Sequence, residues 1–254
     1  MTELLRPIEP RAVSVGTVPG GAGIVFDAAR LSQAQAQAGL FDAAQWPHSS
    51  PVLGSGRGAA WFVSAPWARA VLRHYRRGGL VARVLGDLYL WQGAESSRGI
   101  AEFRLLAQMA VQGLPVPVPL AARYQRIGPW YRADILLERI ADAVPLTTLL
   151  RHDLSAAPWE AVGAVIARFH RAGIDHADLN ANNVLIDATG AVWLIDFDRS
   201  RQRAEHPGWR AANLRRLRRS IHKVVGGYFG AALISGWSRL HESYALALSR
   251  AESS

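Results

Sequence analysis

The sequence predicts an α+β protein with two lobes, an N-terminal antiparallel sheet with one main helix and a mostly helical C-terminal lobe. The first half contains short apolar segments separated by Gly and Pro turns, which is typical of antiparallel strands. After about residue 141, apolar residues recur instead at helical spacing. A segment rich in Asp and Asn, residues 176–201, lies between two of the predicted helices. We therefore divide one domain into lobes at 1–140 and 141–254.

The first strands are predicted near the N-terminus. Residues 24–31 are typical of a strand, and residues 33–46 are typical of a short helix. Residues 52–79 follow the pattern of a strand, a Gly turn, a strand, a second turn and a strand. This part of the lobe should therefore form an antiparallel sheet.

One main helix is predicted over residues 96–113. Its apolar residues near one face are Ile100, Phe103, Leu106 and Val111. Gly113 suits the end of this helix, because glycine readily takes the left-handed conformation found there. Residues 114–140 then follow as extended segments.

The C-terminal lobe begins with a helix over residues 157–174. Pro158 is suited to its first turn and Gly173 to its end, and the apolar stripe comprises Val162, Ile166 and Phe169. A second helix over residues 208–227 places Leu214, Leu217 and Ile221 at helical spacing. The rest of its surface is strongly basic, with Arg215, Arg216, Arg218, Arg219 and Lys223.

Between these helices, residues 176–201 bring acidic and amide side chains together. Residues 184–187 and 191–196 are predicted strands joined by a tight turn. Asp178 and Asn183 precede the first strand, and Asp196 ends the second. A hairpin of this kind should place the three side chains close together at its open end.

This set of residues suits metal-assisted phosphoryl transfer. Asn183 and Asp196 supply the hard oxygen ligands that Mg²⁺ prefers. Asp178 can orient a substrate hydroxyl and accept its proton. The pattern H-x-D-L-x-x-x-N, followed by an Asp at a strand end, is that of the protein-kinase catalytic loop. Asp and Asn also serve as simple turn residues, the reading we adopt for Asp175 and Asp187. We expect His176 to brace the loop and Phe197 and Trp193 to lie in the core.

The remaining parts of an ATP site are predicted upstream. Gly54, Gly56 and Gly58 lie between two predicted strands and would let the backbone approach phosphates. Arg73, on the third strand of that region, would contact the nucleotide phosphates, with Glu102 on the following helix as its partner.

Four departures distinguish this chain from protein kinases. Arg73 stands where the strand usually carries Lys, and Asn180 where the catalytic loop commonly carries Lys. Asp198 replaces the hinge Gly of D-F-G, and no clear A-P-E motif follows. A regulated activation loop is therefore not expected, and a small-molecule or glycolipid kinase is favoured.

The composition predicts an anionic partner. Lys and Arg number 29 against 20 Asp and Glu, which gives a formal net charge of +9. Such a surplus indicates nucleic acid, an anionic membrane or a phosphorylated substrate. The absence of Cys excludes disulfides and Cys-based zinc sites, and fits a reducing compartment. The start of the sequence carries no signal-peptide pattern and no apolar run reaches about 20 residues, so we expect a cytosolic or peripheral protein.

The sequence resembles bacterial lipopolysaccharide kinases, and within them the branch that acts on 3-deoxy-D-manno-octulosonic acid (Kdo). The resemblance spans about residues 54–222 and includes the general motifs HADLNANNVLID and IDFDRSR. The stretches RHYRRGG and ANLRRLRRS are specific to that family.

The resemblance implies a protein-kinase-like bilobal fold and the use of ATP and Mg²⁺. It implies transfer to a Kdo hydroxyl, with the 4-hydroxyl as the expected position, on a Kdo–lipid A precursor in lipopolysaccharide core synthesis. The expected location is the cytoplasmic face of the inner membrane of a Gram-negative bacterium, where the protein would be peripheral. Arg199, Arg201 and Arg203 are the candidate substrate contacts, because they follow the proposed metal ligand Asp196.

Three other interpretations remain open at this point. A kinase for lipopolysaccharide heptose or an aminoglycoside would share every catalytic residue. A non-catalytic kinase-like binding module is suggested only by Arg73. A nucleic-acid binder is suggested by the basic helix, but no recognised nucleic-acid motif accompanies the charge. We expect neither a nucleic-acid nor a protein partner.

Overall fold

The computed structural model describes residues 8–15, 21–52, 60–76, 86–226 and 230–249, with side chains at 12–15 and 38 left undescribed. The chain divides into two compact units. The first unit comprises Met1–Gln112 and Pro117–Arg139, and the second comprises Gly113–Val116 and Ile140–Ser254.

The first unit is built on an antiparallel sheet of eight strands among the described residues. The strands are β1 (Pro10–Val15), β2 (Ala22–Asp27), β3 (His48–Pro51), β4 (Ala60–Ala65), β5 (Ala68–His74), β6 (Tyr89–Leu90), β7 (Pro119–Ile127) and β8 (Trp130–Glu138). Their order is β1-β2-β7-β8-β5-β4-β3, and β6 pairs with β8. The strand–turn–strand pattern predicted from residue 52 onward is confirmed in β4 and β5, while its Gly turn at 53–59 lies outside the described residues.

One helix, α1 (Arg98–Val111), packs on β7 and β8. Gly99 allows this approach, because a Cβ at that position would lie only 2.8 Å from the carbonyl oxygen of Asp134. Phe103 and Leu106 are buried as predicted. Val111 is 71% exposed, so the expected apolar stripe is wrong there: Val111 is the last helical residue and extends past the packed turns.

The helix predicted over residues 33–46 is replaced by two short 3₁₀ turns, Ala38–Phe41 and Ala43–Gln45. The Asp42 carboxylate accepts a hydrogen bond from the Ala44 N–H at 3.0 Å and starts the second turn. Residues 38–45 adopt this conformation because Phe41 and Trp46 are buried in the core of this unit. Tertiary packing therefore overrides the helical propensity of this Ala- and Gln-rich stretch.

The second unit is mostly helical. Its helices are α2 (Leu146–His152), α3 (Trp159–Arg171), α4 (Pro207–Val224) and α5 (Ala231–Ser249). Its short strands are β9 (Val144–Pro145), β10 (Ile174–Asp175), β11 (Val184–Ile186), β12 (Val192–Leu194) and β13 (Arg201–Gln202). They form two small antiparallel sheets, β12-β11-β9 and β10-β13. Within the described residues, no helix has both the length and the apolar character that a membrane span requires.

Helices α3 and α5 pack closely through two glycines. A Cβ on Gly163 of α3 would lie 2.1 Å from the carbonyl oxygen of Leu240. A Cβ on Gly236 of α5 would lie 2.3 Å from the indole of Trp159, which is fully buried. The close contact between the two helices therefore requires glycine, which has no side chain, at both positions.

A buried histidine lies within this helical core. His170 of α3 is 1% exposed, and its Nδ1 lies 2.9 Å from the hydroxyl oxygen of Tyr244 on α5. Its ring also packs edge-on against Trp209 of α4. Burial lowers the pKa of His170 to about 4, because the charged imidazolium would lose its hydration there.

This pKa predicts that acid destabilises the second unit. The unfolded chain binds a proton at His170 near pH 6.5, whereas the folded chain binds it only near pH 4. The contribution of His170 is therefore fully present above pH 6.5 and is lost as the pH falls toward 4. The total loss should be on the order of 3 kcal/mol.

Thermal or urea unfolding between pH 7 and pH 4 measures this effect. The His170→Gln variant should show a flatter dependence of stability on pH than the unmodified protein. His152→Gln, at an exposed position on α2, is the matched control. Equal slopes for His170→Gln and the unmodified protein would contradict the assignment.

Candidate active site

The candidate catalytic loop is residues 176–183, between β10 and β11. Helix α4 holds it at two points. The Asn213 side-chain oxygen accepts a hydrogen bond from the His176 N–H at 3.1 Å, and the Ser220 hydroxyl oxygen accepts one from the Ala181 N–H at 3.1 Å. The apolar positions of α4 therefore bury the helix while its polar inward positions fix the loop.

His176 braces the loop, as the sequence predicts. It is 2% exposed, and its Nε2 donates to the Ile195 carbonyl oxygen at 3.0 Å. Because a carbonyl only accepts, Nδ1 carries no proton and accepts the Asp178 N–H at 3.2 Å. Burial lowers the pKa of His176, which keeps this neutral tautomer. A protonated ring would place an N–H against the N–H of Asp178.

Three hydrogen bonds join the residues that the sequence predicts to be functional. The Asn183 side-chain NH₂ donates to the Asp178 carbonyl oxygen at 2.9 Å. The Ile195 N–H donates to the Asn183 carbonyl oxygen at 3.0 Å, next to Asp196. His176 binds the other side of the Ile195 peptide. The hairpin therefore brings Asp178, Asn183 and Asp196 into one connected segment of the second unit.

The position of Asp196 requires a correction to the predicted strand. The strand β12 ends at Leu194, two residues earlier than expected. Asp196 then adopts φ 62°, in the left-handed region that non-glycine residues rarely occupy. This conformation interrupts the alternation of side chains along the strand. The backbone of the predicted metal ligand is therefore strained.

The missing hinge glycine has a structural explanation. Residues 197–200 form a turn in which the Ser200 N–H donates to the Phe197 carbonyl oxygen at 2.9 Å. The positive φ angles fall at Asp196 and Arg199, which has φ 63°. Asp198 therefore occupies a backbone conformation that does not need glycine.

Asp178 is exposed, and a neighbouring amide orients its carboxylate. The Asn180 side-chain NH₂ donates to Asp178 Oδ2 at 3.0 Å and to the Asp178 carbonyl oxygen at 3.1 Å. Asn180 thus occupies the usual position of the catalytic-loop Lys without adding charge.

The three candidate substrate arginines have different surroundings. Arg199 and Arg201 are exposed, whereas Arg203 pairs with Asp175 at 2.9 Å. Asp175 is not the turn residue that we expected. It lies in β10, and its second carboxylate oxygen accepts a hydrogen bond from Asn213 at 2.9 Å. Two partners distant in the sequence therefore fix this carboxylate. Substrate contact by the three arginines stays a prediction.

The other side chains of the hairpin have structural roles. Asp187 closes the turn between β11 and β12 as predicted, with its carboxylate accepting hydrogen bonds from Thr189 and Ala191. Phe197 is buried at 1% exposure. Trp193 is only half-buried, and its indole N–H donates to Asp187 at 2.8 Å.

The first unit contains the predicted ion pair. Arg73 on β5 binds the Glu102 carboxylate on α1, and Glu102 is 3% exposed. The predicted partnership is therefore confirmed, while nucleotide contact by either residue stays a prediction. Gly54, Gly56 and Gly58 lie outside the described residues.

Sequence reasoning missed a third member of this cluster. The Tyr75 hydroxyl donates to the Glu102 carboxylate at 2.5 Å and accepts from Arg73 at 3.3 Å. Burial raises the pKa of Tyr75 well above its usual value, and the neighbouring Glu102 charge adds to the rise. The hydroxyl therefore stays protonated. The two-residue strand alternation, which places positions 73 and 75 on one face, was the signal available in the sequence.

The first unit contains an antiparallel sheet with a partly buried Arg–Glu pair, and the second contains the braced segment with Asp178, Asn183 and Asp196. Together they are typical of a kinase-like α+β phosphotransferase. The chain belongs to the lipopolysaccharide kinase (Kdo/WaaP) family, whose model matches residues 43–244. The predicted fold class and family are confirmed. The family and the names of its curated relatives support an ATP-dependent kinase that phosphorylates a sugar hydroxyl.

Curated relatives cover nearly the whole chain. A protein of Xanthomonas oryzae pv. oryzae (strain PXO99A) is 50% identical over 232 residues, which is 91% of this chain and 92% of the relative. A protein of Xylella fastidiosa (strain M12) is 46% identical over 228 residues, which is 89% of this chain and 91% of the relative. Both are named 3-deoxy-D-manno-octulosonic acid kinase.

Two solved structures resemble the chain at lower identity. WaaP in complex with acyl carrier protein is 16% identical, with a TM-score of 0.47, over 81% of this chain and 87% of that one. The Rio2 kinase–ADP/Mg²⁺–phosphoaspartate complex from Chaetomium thermophilum is 18% identical. Its TM-score is also 0.47, over 88% of this chain and 80% of that one.

The Arg73–Glu102–Tyr75 cluster predicts that Tyr75→Phe weakens nucleotide binding. Removing the hydroxyl takes one donor from a buried carboxylate and one acceptor from Arg73, so Arg73 should be held less firmly. The KM for ATP should rise roughly 3- to 10-fold, as expected for loss of about one buried hydrogen bond, with a smaller change in kcat. Steady-state kinetics at varied ATP measures it.

Tyr89→Phe removes another buried hydroxyl from the same unit and is the matched control. An unchanged KM for ATP in Tyr75→Phe would show that Tyr75 does not position Arg73.

Proposed function

We propose that the protein phosphorylates a hydroxyl of Kdo, at the 4 position, on a Kdo–lipid A precursor, with ATP as donor and Mg²⁺ as cofactor. The observation that carries the proposal is the hydrogen bond from Asn183 to Asp178, together with the bond from the Ile195 N–H to Asn183, which places Asp196 directly after the same peptide. The acceptor is chosen because relatives about 50% identical over nine-tenths of the chain are named for Kdo.

Asp178 is the proposed general base. Its carboxylate is exposed and oriented by Asn180, so it can accept the proton of an incoming hydroxyl. The hydroxyl oxygen attacks the γ-phosphorus of ATP, the bond from that phosphorus to the bridging oxygen breaks, and ADP leaves. The proton moves to Asp178, so charge and atoms balance.

The donor set fits Mg²⁺. The Asn183 NH₂ is used by the Asp178 carbonyl oxygen, which leaves the amide oxygen as the end of that side chain able to ligate a cation. Asp196 supplies a carboxylate. Bound Mg²⁺ would offset the negative charge on the transferring phosphates. The described residues contain no cluster of three or more His, Cys, Asp or Glu, and Mg²⁺ does not require one, since phosphate oxygens and waters complete its shell.

In the first unit, Arg73 is proposed to contact the ATP phosphates while Glu102 and Tyr75 hold its guanidinium. Gly54, Gly56 and Gly58 are proposed to let the backbone approach the same phosphates. One nitrogen of Arg73, Nη2, donates to both the Glu102 carboxylate and the Tyr75 hydroxyl.

The acceptor and the location are proposed together. Arg199, Arg201 and Arg203 follow Asp196 and are proposed to contact the acidic acceptor. A lipid-linked acceptor and a net charge of +9 support a peripheral location at the cytoplasmic face of the inner membrane of a Gram-negative bacterium.

A transfer assay tests this function. Purified protein, ATP and Mg²⁺ are incubated with a Kdo–lipid A precursor, and mass spectrometry should find one added phosphate on Kdo. Acceptor competition separates the heptose alternative: a preference for heptosylated core over the Kdo–lipid would overturn the choice of acceptor. No transfer by well-folded protein would overturn the proposed function.

Asp178→Asn should lower kcat by roughly 10²- to 10⁴-fold, because the variant cannot accept the hydroxyl proton. Binding of ATP, followed by calorimetry, should change little. Asp142→Asn, on an exposed turn of the same unit, is the matched control and should retain turnover. Near-normal kcat in Asp178→Asn would show that another group is the base.

A further inference from the structure

Helix α4 has two faces with opposite roles. The inner face carries the buried Asn213 and Leu217, and it fixes the catalytic loop through Asn213 and Ser220. The outer face borders a pocket of about 410 Å³. The residues that line this basic pocket are Arg215, Arg218, Arg219, His222 and Lys223.

The spacing of these residues produces the pocket. They recur at intervals of three and four residues, so the helix projects them from one side. Four of the five side chains are exposed. Like charges at this spacing destabilise a helix, and a bound anion would offset that repulsion. The outer face of α4 is therefore suited to an anion that several guanidinium groups contact at once.

Phosphate esters suit this lining, in which cationic groups stand on aliphatic stems. Guanidinium groups bind phosphate through paired hydrogen bonds, and the pocket volume admits a phosphate with its attached sugar. The transferring phosphates of ATP must lie at the catalytic loop, which is held by the inner face of the same helix. A helix with its side chains is about 10 Å across, so the occupant is a different phosphate, remote from the reacting hydroxyl.

An apolar flank lies beside the basic pocket. The Arg218 guanidinium lies 5.8 Å from the ring centroid of Trp237 on α5. Ile234, one turn earlier on α5, is 58% exposed. Phosphate-binding cations next to a half-buried indole and an exposed aliphatic side chain suit a phosphorylated glycolipid, which carries phosphate next to acyl chains.

We propose that the basic pocket binds a phosphate ester on the lipid-linked part of the acceptor, away from the sugar that is phosphorylated. This inference rests on the proposed function, since it concerns the same acceptor. The pocket anchors the acceptor on one side of α4, while the catalytic loop on the other side acts on its Kdo residue. An acceptor with its phosphate esters intact should bind more tightly than the same acceptor without them.

The test compares two acceptors and two variants. The acceptors are a bisphosphorylated Kdo–lipid A precursor in detergent and the same compound after phosphatase removes its phosphomonoesters. For the unmodified protein, the KM should be roughly tenfold lower with the phosphorylated acceptor, as expected for charge-assisted hydrogen bonds. In the double variant Arg215→Gln/Arg219→Gln, that difference should disappear, while the KM for ATP stays unchanged.

A double variant with the same loss of charge outside the pocket is the control. Arg11→Gln/Arg151→Gln changes two exposed arginines on β1 and α2 and should keep the tenfold difference. If this control variant also loses the tenfold difference in KM, general attraction by net charge explains the loss in the pocket variant, and the pocket proposal is wrong.

The remaining outcomes separate the two proposals. If the unmodified protein transfers phosphate but the pocket variant keeps the tenfold difference, the pocket proposal alone is overturned. If the unmodified protein phosphorylates neither acceptor, the proposed function is overturned and the anchoring role falls with it.

A last experiment measures binding of the protein to vesicles of phosphatidylglycerol and phosphatidylethanolamine without acceptor. Loss of vesicle binding in the pocket variant with an intact KM difference would assign the pocket to membrane lipid instead.

Discussion

One buried amide supports the catalytic loop. Asn213 of α4 is 1% exposed and uses both ends of its side chain, with its oxygen accepting the His176 N–H and its NH₂ donating to Asp175. The position of His176 then fixes the Ile195 peptide and the Asp178 backbone, and through them the whole hairpin. A buried amide with both groups satisfied stabilises one geometry, because any shift would leave a polar group unpaired.

The strained backbone at Asp196 is stabilised by the hydrogen bonds of the neighbouring Ile195 peptide. Asp196 keeps a left-handed φ, which costs free energy unless the surroundings determine it. The surroundings here are the Ile195 peptide, bound on one side by Asn183 and on the other by His176. In the first unit, Glu102 and Tyr75 similarly hold Arg73. The Arg73 guanidinium therefore has two acceptors, the Glu102 carboxylate and the Tyr75 hydroxyl.

The sequence predicted much of the candidate site because its motifs are local. Asp178, Asn183 and Asp196 follow a fixed spacing within one hairpin, and Arg73 and Glu102 follow the order of a strand and the next helix. Tyr75 was missed because its role depends on a carboxylate that approaches from α1. Asp175 was taken as a turn residue because its partners, Arg203 and Asn213, are about 30 and 40 residues away. Residues 33–46 were taken as a helix because composition alone does not reveal that Phe41 and Trp46 are buried in the sheet core.

The sequence by itself determined the α+β architecture, the local spacing of the candidate catalytic residues and the excess of positive charge. Each is a property of local order, since periodicity, turn chemistry and motif spacing act over a few residues. Only the tertiary structure decided that the face of α4 opposite its basic side chains holds the loop, through Asn213 and Ser220. It also decided that Asp196 takes a left-handed backbone and that Tyr75 completes the Arg–Glu pair. These features depend on contacts between segments distant in the chain, whose geometry is set by packing rather than by neighbouring residues.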